Sequence, residues 1–263
     1  MSKWVYNHKL ITYFLLAYLF SWIIAALLIF RAVPLWFHYF TAYGPALAAV
    51  VVNLLANDRG RLRLLLRKTI EWRIGWLWYL FALSPLLIFL VVNLFLNKNP
   101  LDIKLLGTVN FLPSLGFSTI FLWILTSGVG EEMGWRGFAL PALQAKYSAL
   151  KSALILGLFW AGWHLPAFFY LPTYMKLGFA ILPMFMLGII AGSIVYTWLF
   201  NSTNGNILIA ILFHGVFNFI TASKAAEGLP DVIVSTLVMV WAVMLVIIYK
   251  PDNLSRNKKF SIE

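Results

Sequence analysis

The chain has 263 residues, 62% of them hydrophobic and 11% charged, with a formal net charge of +11. That balance excludes an ordinary soluble domain and predicts a polytopic membrane protein. The absence of cysteine excludes disulfides and thiolate chemistry.

A helix crossing the hydrocarbon needs roughly 20 apolar residues. Eight stretches of that kind follow one another: 10–30, 39–56, 75–96, 113–133, 152–171, 178–200, 206–223 and 232–249. The expected fold is all-α, a polytopic transmembrane helix bundle of about eight spans, forming a single integral membrane domain over residues 1–263. Lys3 and Lys9 precede the first stretch as in a signal peptide. However, the apolar run is long and "LLIFRAVPLW" offers no small-x-small cleavage pattern, so a retained helix is expected. The second stretch is short and carries "GPALAA", Gly44 to Ala49. Between the second and third, "DRGRLRLLLRKTIEW" predicts a cytoplasmic loop lying against anionic headgroups. The fourth ends among charges, in "SGVGEEMGWRGF". In the sixth, Gly188 and Gly192 predict a close-packing surface. The twelve tryptophans predict belts at the membrane interfaces.

The placement of charge decides what the excess of base means. With eight spans, the N-terminus, the even-numbered loops and the C-terminus share one side, and that side carries fifteen of the twenty basic residues. Positive charge stays cytoplasmic, so both termini are expected there. The charge is thereby accounted for by membrane lipid, and a nucleic-acid partner is not expected.

Ionisable groups within the membrane are costly and mark function or a specific partner. The inventory is short: Glu131, Glu132 and Arg136 near the end of the fourth stretch, His164 in "FWAGWHLP" on the fifth, and His214 with Asn218 in "FHGVFN" on the seventh. On a helix Glu132 and Arg136 are four apart, acid first, the favourable order for an ion pair. Glu131 points about 100° away and is left free to work on water. His214 and Asn218, also four apart, lie on one face and could present an imidazole and an amide to a substrate carbonyl, a pairing suited to an oxyanion. Pro166, two residues after His164, predicts a kink there. Bland roles are open for each group. Glu132–Arg136 would serve equally as an end-of-helix ion pair, His164 as a bonded core residue and Asn218 as interhelical glue.

"EEMGWR", "WHLP" and "HGVFN" together resemble the EExxxR, second and HxxxN motifs of the CPBP intramembrane proteases. That family includes type II CAAX prenyl endopeptidases and Abi-like bacteriocin-immunity proteins. The resemblance covers roughly residues 125–222, the catalytic core spans, with a weaker echo at Gly44 to Ala49. One departure is visible: four residues before His164 the family pattern has Phe, and here stands Trp160. The resemblance implies an intramembrane endopeptidase in which Glu131 activates water, His164 is the second catalytic group, and His214 and Asn218 bind the oxyanion. Glu132 and Arg136 are in support. It also implies a peptide or protein substrate, of CAAX, signalling or bacteriocin type, and the plasma membrane of a prokaryote as the setting.

No cofactor is expected. The alternative is zinc held by Glu131, His164 and His214 with Glu132 as base, although no HExxH occurs in the chain. No aspartate lies in the predicted spans and Ser127 lacks a rhomboid-type glycine before it, which sets aside aspartyl and serine intramembrane chemistry. A proton-coupled transporter would want an inverted repeat, and none is present. The rival from another class is a non-catalytic immunity or scaffold protein that binds a peptide.

Overall fold

The computed structural model describes residues 2–96, 103–109 and 115–262. Among these every regular element is helical, as the composition predicts. The main helices are α1 (Lys9–Ile29), α2 (Gly44–Leu55), α3 (Arg59–Ile70), α4 (Trp76–Ala82) and α5 (Ser84–Leu96). They are followed by α6 (residues 119–144), α7 (Ala149–Trp163), α8 (Leu182–Ser202), α9 (Ile207–Thr221) and α10 (Leu229–Asn253). Sequence signals start several of them. The side chains of Asp58, Ser148 and Asn206 accept hydrogen bonds from Arg61, Lys151 and Ile209 backbone N–H groups, satisfying donors that a helix start leaves open.

Helix stands at each of the eight predicted places, although residues 113 and 114 fall outside the described part. Five helical runs are long and apolar enough to cross a membrane: Lys9–Ile29, Leu35–Leu55, Ala149–Phe169, Phe179–Ser202 and Leu229–Asn253. A sixth is counted if α4 and α5, bent by 53° just before Pro85, form one broken span. The 15-residue α9 reaches only about 22 Å at 1.5 Å per residue, less than the roughly 30 Å core. It is sheathed by protein along most of its length, so eight is an approximate count.

Both ends of the chain meet at one end of the bundle. Lys9 Nζ bonds Asp58 at 2.7 Å, Asn206 Nδ2 donates to the Glu71 carbonyl at 2.6 Å, and Gln144 Nε2 donates to the Phe260 carbonyl at 2.7 Å. Lys259 Nζ reaches the Tyr147 carbonyl. The even-numbered loops and both tails are thus neighbours, as an alternating topology requires.

Several local expectations are corrected. The basic segment after α2 is the capped helix α3 rather than a loop. Its Arg61 is buried, with the guanidinium over the Phe138 ring, while Arg63 and Arg67 stay exposed. The predicted fourth span does not stop at its charges. It runs to Gln144, so Arg136 lies well inside the bundle, its charge met there by Glu132 at 3.0 Å. Of the pair expected to pack closely, Gly188 faces open space, and Gly192 makes only ordinary contact, a Cβ there lying 3.9 Å from Trp160 and Tyr196 side-chain atoms. The close approach between α7 and α8 is at Gly157, against the Ile190 backbone. Five tryptophans, Trp123, Trp135, Trp160, Trp163 and Trp198, are core residues and not belt residues.

Close packing explains where α6 sits. A Cβ on Gly134 would lie 2.4 Å from Pro45 Cβ and 2.5 Å from the Pro45 carbonyl oxygen at the start of α2. One on Gly215 of α9 would lie 2.8 Å from Ile124 Cα. Bare glycines therefore let α2 and α9 press against α6 from two sides, which gives the "GPALAA" echo a packing role. Gly134→Ala would ordinarily favour a helix by about 1 kcal/mol. Against unyielding backbone, overpacking of about 1–3 kcal/mol wins. The variant is expected to unfold at a lower temperature than the parent in detergent, as read by circular dichroism.

Candidate active site

The middle of α6 is wound in π-helical register over Ile124–Glu131 and again over Trp135–Ala139, with the short α-turn Glu132–Gly134 between. Such segments favour functional sites because they displace side chains from ordinary α-helical phase. Glu131 and Glu132 fall at that junction, and α9 brings His214 between them. Glu132 Oε1 accepts from Arg136 Nη1 at 3.0 Å and from His214 Nδ1 at 2.8 Å. A carboxylate has no proton to give, so Nδ1 carries the hydrogen. Glu131 Oε1 lies 4.0 Å from His214 Nε2 on the other side of the ring. The expected 100° separation does not send the two carboxylates to separate surroundings. Both converge on the same imidazole, and Glu132 serves it as well as the arginine.

The group is almost sealed. Glu131 is 3% exposed, His214 4%, and Glu132 and Arg136 0%. The guanidinium is held between the rings of Trp160 and Tyr196, 4.4 and 4.2 Å from their centroids, a cation–π sandwich that suits a desolvated charge. Trp160 Nε1 donates to Glu131 Oε2 at 2.7 Å. Neither aromatic carried a site signal in the sequence beyond the departure at position 160, because each meets its partners only across helices.

His164 terminates α7, and Leu165–Phe169 continues as a 3-10 turn through Pro166, as a proline that cannot extend an α-helix requires. Its Nδ1 donates to the Trp160 carbonyl at 2.7 Å, which leaves Nε2 as the free nitrogen. The ring stands edge-on to Trp163 and Phe185 and is half-buried. α7 begins at Ala149, earlier than the predicted span, so His164 lies further from that helix start than expected. It meets the Glu131 group through Trp160. Asn218, one turn above His214, is half-buried.

Glu131, His164 and His214 form the zinc alternative. As arranged, they do not converge as a ligand set: among the described residues no three His, Asp or Glu side chains are grouped to hold a metal ion. Glu131 Oε2 is engaged by an indole N–H and both Nδ1 atoms by protein acceptors, which leaves Glu131 Oε1 and the two Nε2 atoms as the open positions.

Fold and site define a class: an all-α, polytopic integral membrane protein with a buried cluster of two carboxylates, a guanidinium and imidazoles. Residues 112–220 match the family model described as type II CAAX prenyl endopeptidase Rce1-like, which bears out the resemblance carried by the three motifs. A CAAX prenyl protease 2 from Methanococcus maripaludis is 32% identical over 111 residues, 40% of this chain. The chain matches about 40% of the length of that curated relative.

Proposed function

We propose that the chain is an intramembrane endopeptidase in which Glu131 is the general base for attack of water on a peptide carbonyl. The observation that carries this reading is the convergence of Glu131 and Glu132 on His214 in a nearly sealed, charge-paired cluster. Glu131 Oε1 takes the proton of the attacking water. His214 and Asn218 donate to the developing oxyanion, where fixed donors in a dry site act strongly. Donation from Nε2 requires a proton there in addition to the one on Nδ1, and Glu131 Oε1 stands 4.0 Å from that nitrogen. His164 is the second catalytic group, with Nε2 available. His164 and Asn218 are the half-buried members of the set, and their partial exposure supports access of substrate to them.

The name of the matched relative supports a CAAX-type prenylated peptide as the substrate class, with signalling or bacteriocin peptides as the alternative. Arg63, Arg67, Lys146, Lys151, Lys250, Lys258 and Lys259, gathered at one end of the bundle, support a cytoplasmic face there, with both termini, in a prokaryotic plasma membrane.

The test is cleavage of a fluorogenic CAAX-type peptide by purified protein, with and without a strong chelator, beside Glu131→Gln. Cleavage is expected to survive the chelator and to vanish in the variant. Loss in chelator with recovery on zinc would replace the glutamate mechanism by the Glu131, His164 and His214 metal set. A protective phenotype in cells that persists in Glu131→Gln and His164→Ala would instead establish a non-catalytic, peptide-binding protein.

A further inference from the structure

Trp160 touches Glu131, Arg136, His164, Tyr196 and His214. Its indole donates to Glu131 Oε2 at 2.7 Å, and its carbonyl accepts from His164 Nδ1 at 2.7 Å. Its ring face lies 4.4 Å from the Arg136 guanidinium, and it meets the rings of His214 and Tyr196 at 5.6 and 5.5 Å. Among the five buried tryptophans, the indole N–H groups of Trp123, Trp135, Trp163 and Trp198 have no acceptor among the described residues, and that of Trp160 does. The bond is therefore a specific feature of this position and not a general habit of the core.

We propose, resting on the reading of Glu131 as base, that Trp160 is a positioning residue: its indole N–H pins Glu131 Oε2 and so assigns Oε1 to the reacting water. A glutamate carboxylate turns broadly about its last torsion and presents two equivalent oxygens. An indole N–H is a donor only and cannot exchange roles with the carboxylate. A bond from it to an ionised oxygen is of the strong, charge-assisted kind. With Oε2 held, the second oxygen is confined to the side where His214 Nε2 stands, 4.0 Å away. A phenylalanine at 160 would fill much of the same space and cover Arg136, but it could not make this bond.

Trp160→Phe isolates that donor, since it keeps an aromatic face over Arg136 and removes the N–H. In the purified full-length protein, kcat is expected to fall about tenfold, equivalent to about 1.4 kcal/mol of barrier, with KM within twofold and an unchanged helical spectrum. A space-filling role would leave kcat within twofold, and that result overturns the proposal. A second measurement needs no turnover. The indole 1H–15N resonance missing from the Trp160→Phe spectrum is that of Trp160, and it is expected to move upfield in Glu131→Gln, whose neutral amide is the weaker acceptor. An unmoved resonance overturns the proposal even where Trp160→Phe fails to fold, because single Phe variants of the other eleven tryptophans assign their signals and leave that of Trp160 by elimination. Full cleavage by Glu131→Gln sinks the reading of Glu131 as base. A shifted resonance with undiminished kcat in Trp160→Phe sinks the positioning role alone.

Discussion

Glu131→Gln is expected to cost at least about 10²–10⁴-fold in kcat, the range of a lost general base, equivalent to roughly 3–5 kcal/mol of barrier. The substitution is nearly isosteric, and the amide oxygen can still accept from Trp160 Nε1, now 2.7 Å from Glu131 Oε2. The packing of α6 between α2 and α9 is untouched. What is lost is the ability of the free oxygen to take a proton from water. Single-turnover cleavage of a CAAX-type peptide measures the effect, and a thermal unfolding midpoint within a few degrees of the parent shows that the fold is kept. Parental activity in a folded Glu131→Gln protein would falsify the assignment of the base.

Removing the arginine acts on the fold as well as on the chemistry. Arg136→Met is expected to destabilise by about 3–5 kcal/mol, the cost of breaking a buried ion pair from one side. Glu132, which is fully buried, is left without its cation, and the Trp160 and Tyr196 rings lose the charge between them. Activity falls too, because Arg136 Nη1 and His214 Nδ1 donate to the same oxygen, Glu132 Oε1, and without the arginine the carboxylate that orients the imidazole loses its anchor. Glu132→Gln combined with Arg136→Met is expected to be more stable than Arg136→Met alone, since no unpaired charge stays in the core. Cleavage is expected to stay below the parent's, because a neutral amide oxygen holds His214 Nδ1–H more weakly than the carboxylate does. Thermal unfolding in detergent and peptide cleavage read the two effects separately. Equal stability of the single and double variants would show that the pair is not coupled as described.

The site residues were legible as residue types before their geometry was. Charged and imidazole side chains stand out against lipid-facing sequence because burying them is costly, so Glu131, Glu132, Arg136, His164 and His214 could be named from their surroundings alone. The i, i+4 spacing also predicts the Glu132–Arg136 pair, since both ends lie on one helix. The spacing misleads at Glu131 and Glu132. An ordinary helix turns them apart, whereas π-helical winding and the close approach of α9 bring His214 within reach of both. The boundary of the fourth span was misplaced for a related reason. A charged run reads as a membrane edge when its partners are on other helices. Once Glu132 neutralises Arg136 and two aromatic rings cover it, the helix continues to Gln144 without exposing charge.

By itself the sequence determined what travels along one chain: an all-helical membrane bundle, the approximate places of its helices, the gathering of basic residues on one side and the small set of polar groups within it. These follow from hydropathy, helical period and charge, which are local. Only the tertiary structure decided which of those groups meet. Trp160 is 29 residues from Glu131, and His214 is 82 from Glu132. Contacts of that kind depend on how glycine-lined helices press together and on where a helix changes its winding, and neither leaves a periodic trace in the residues concerned.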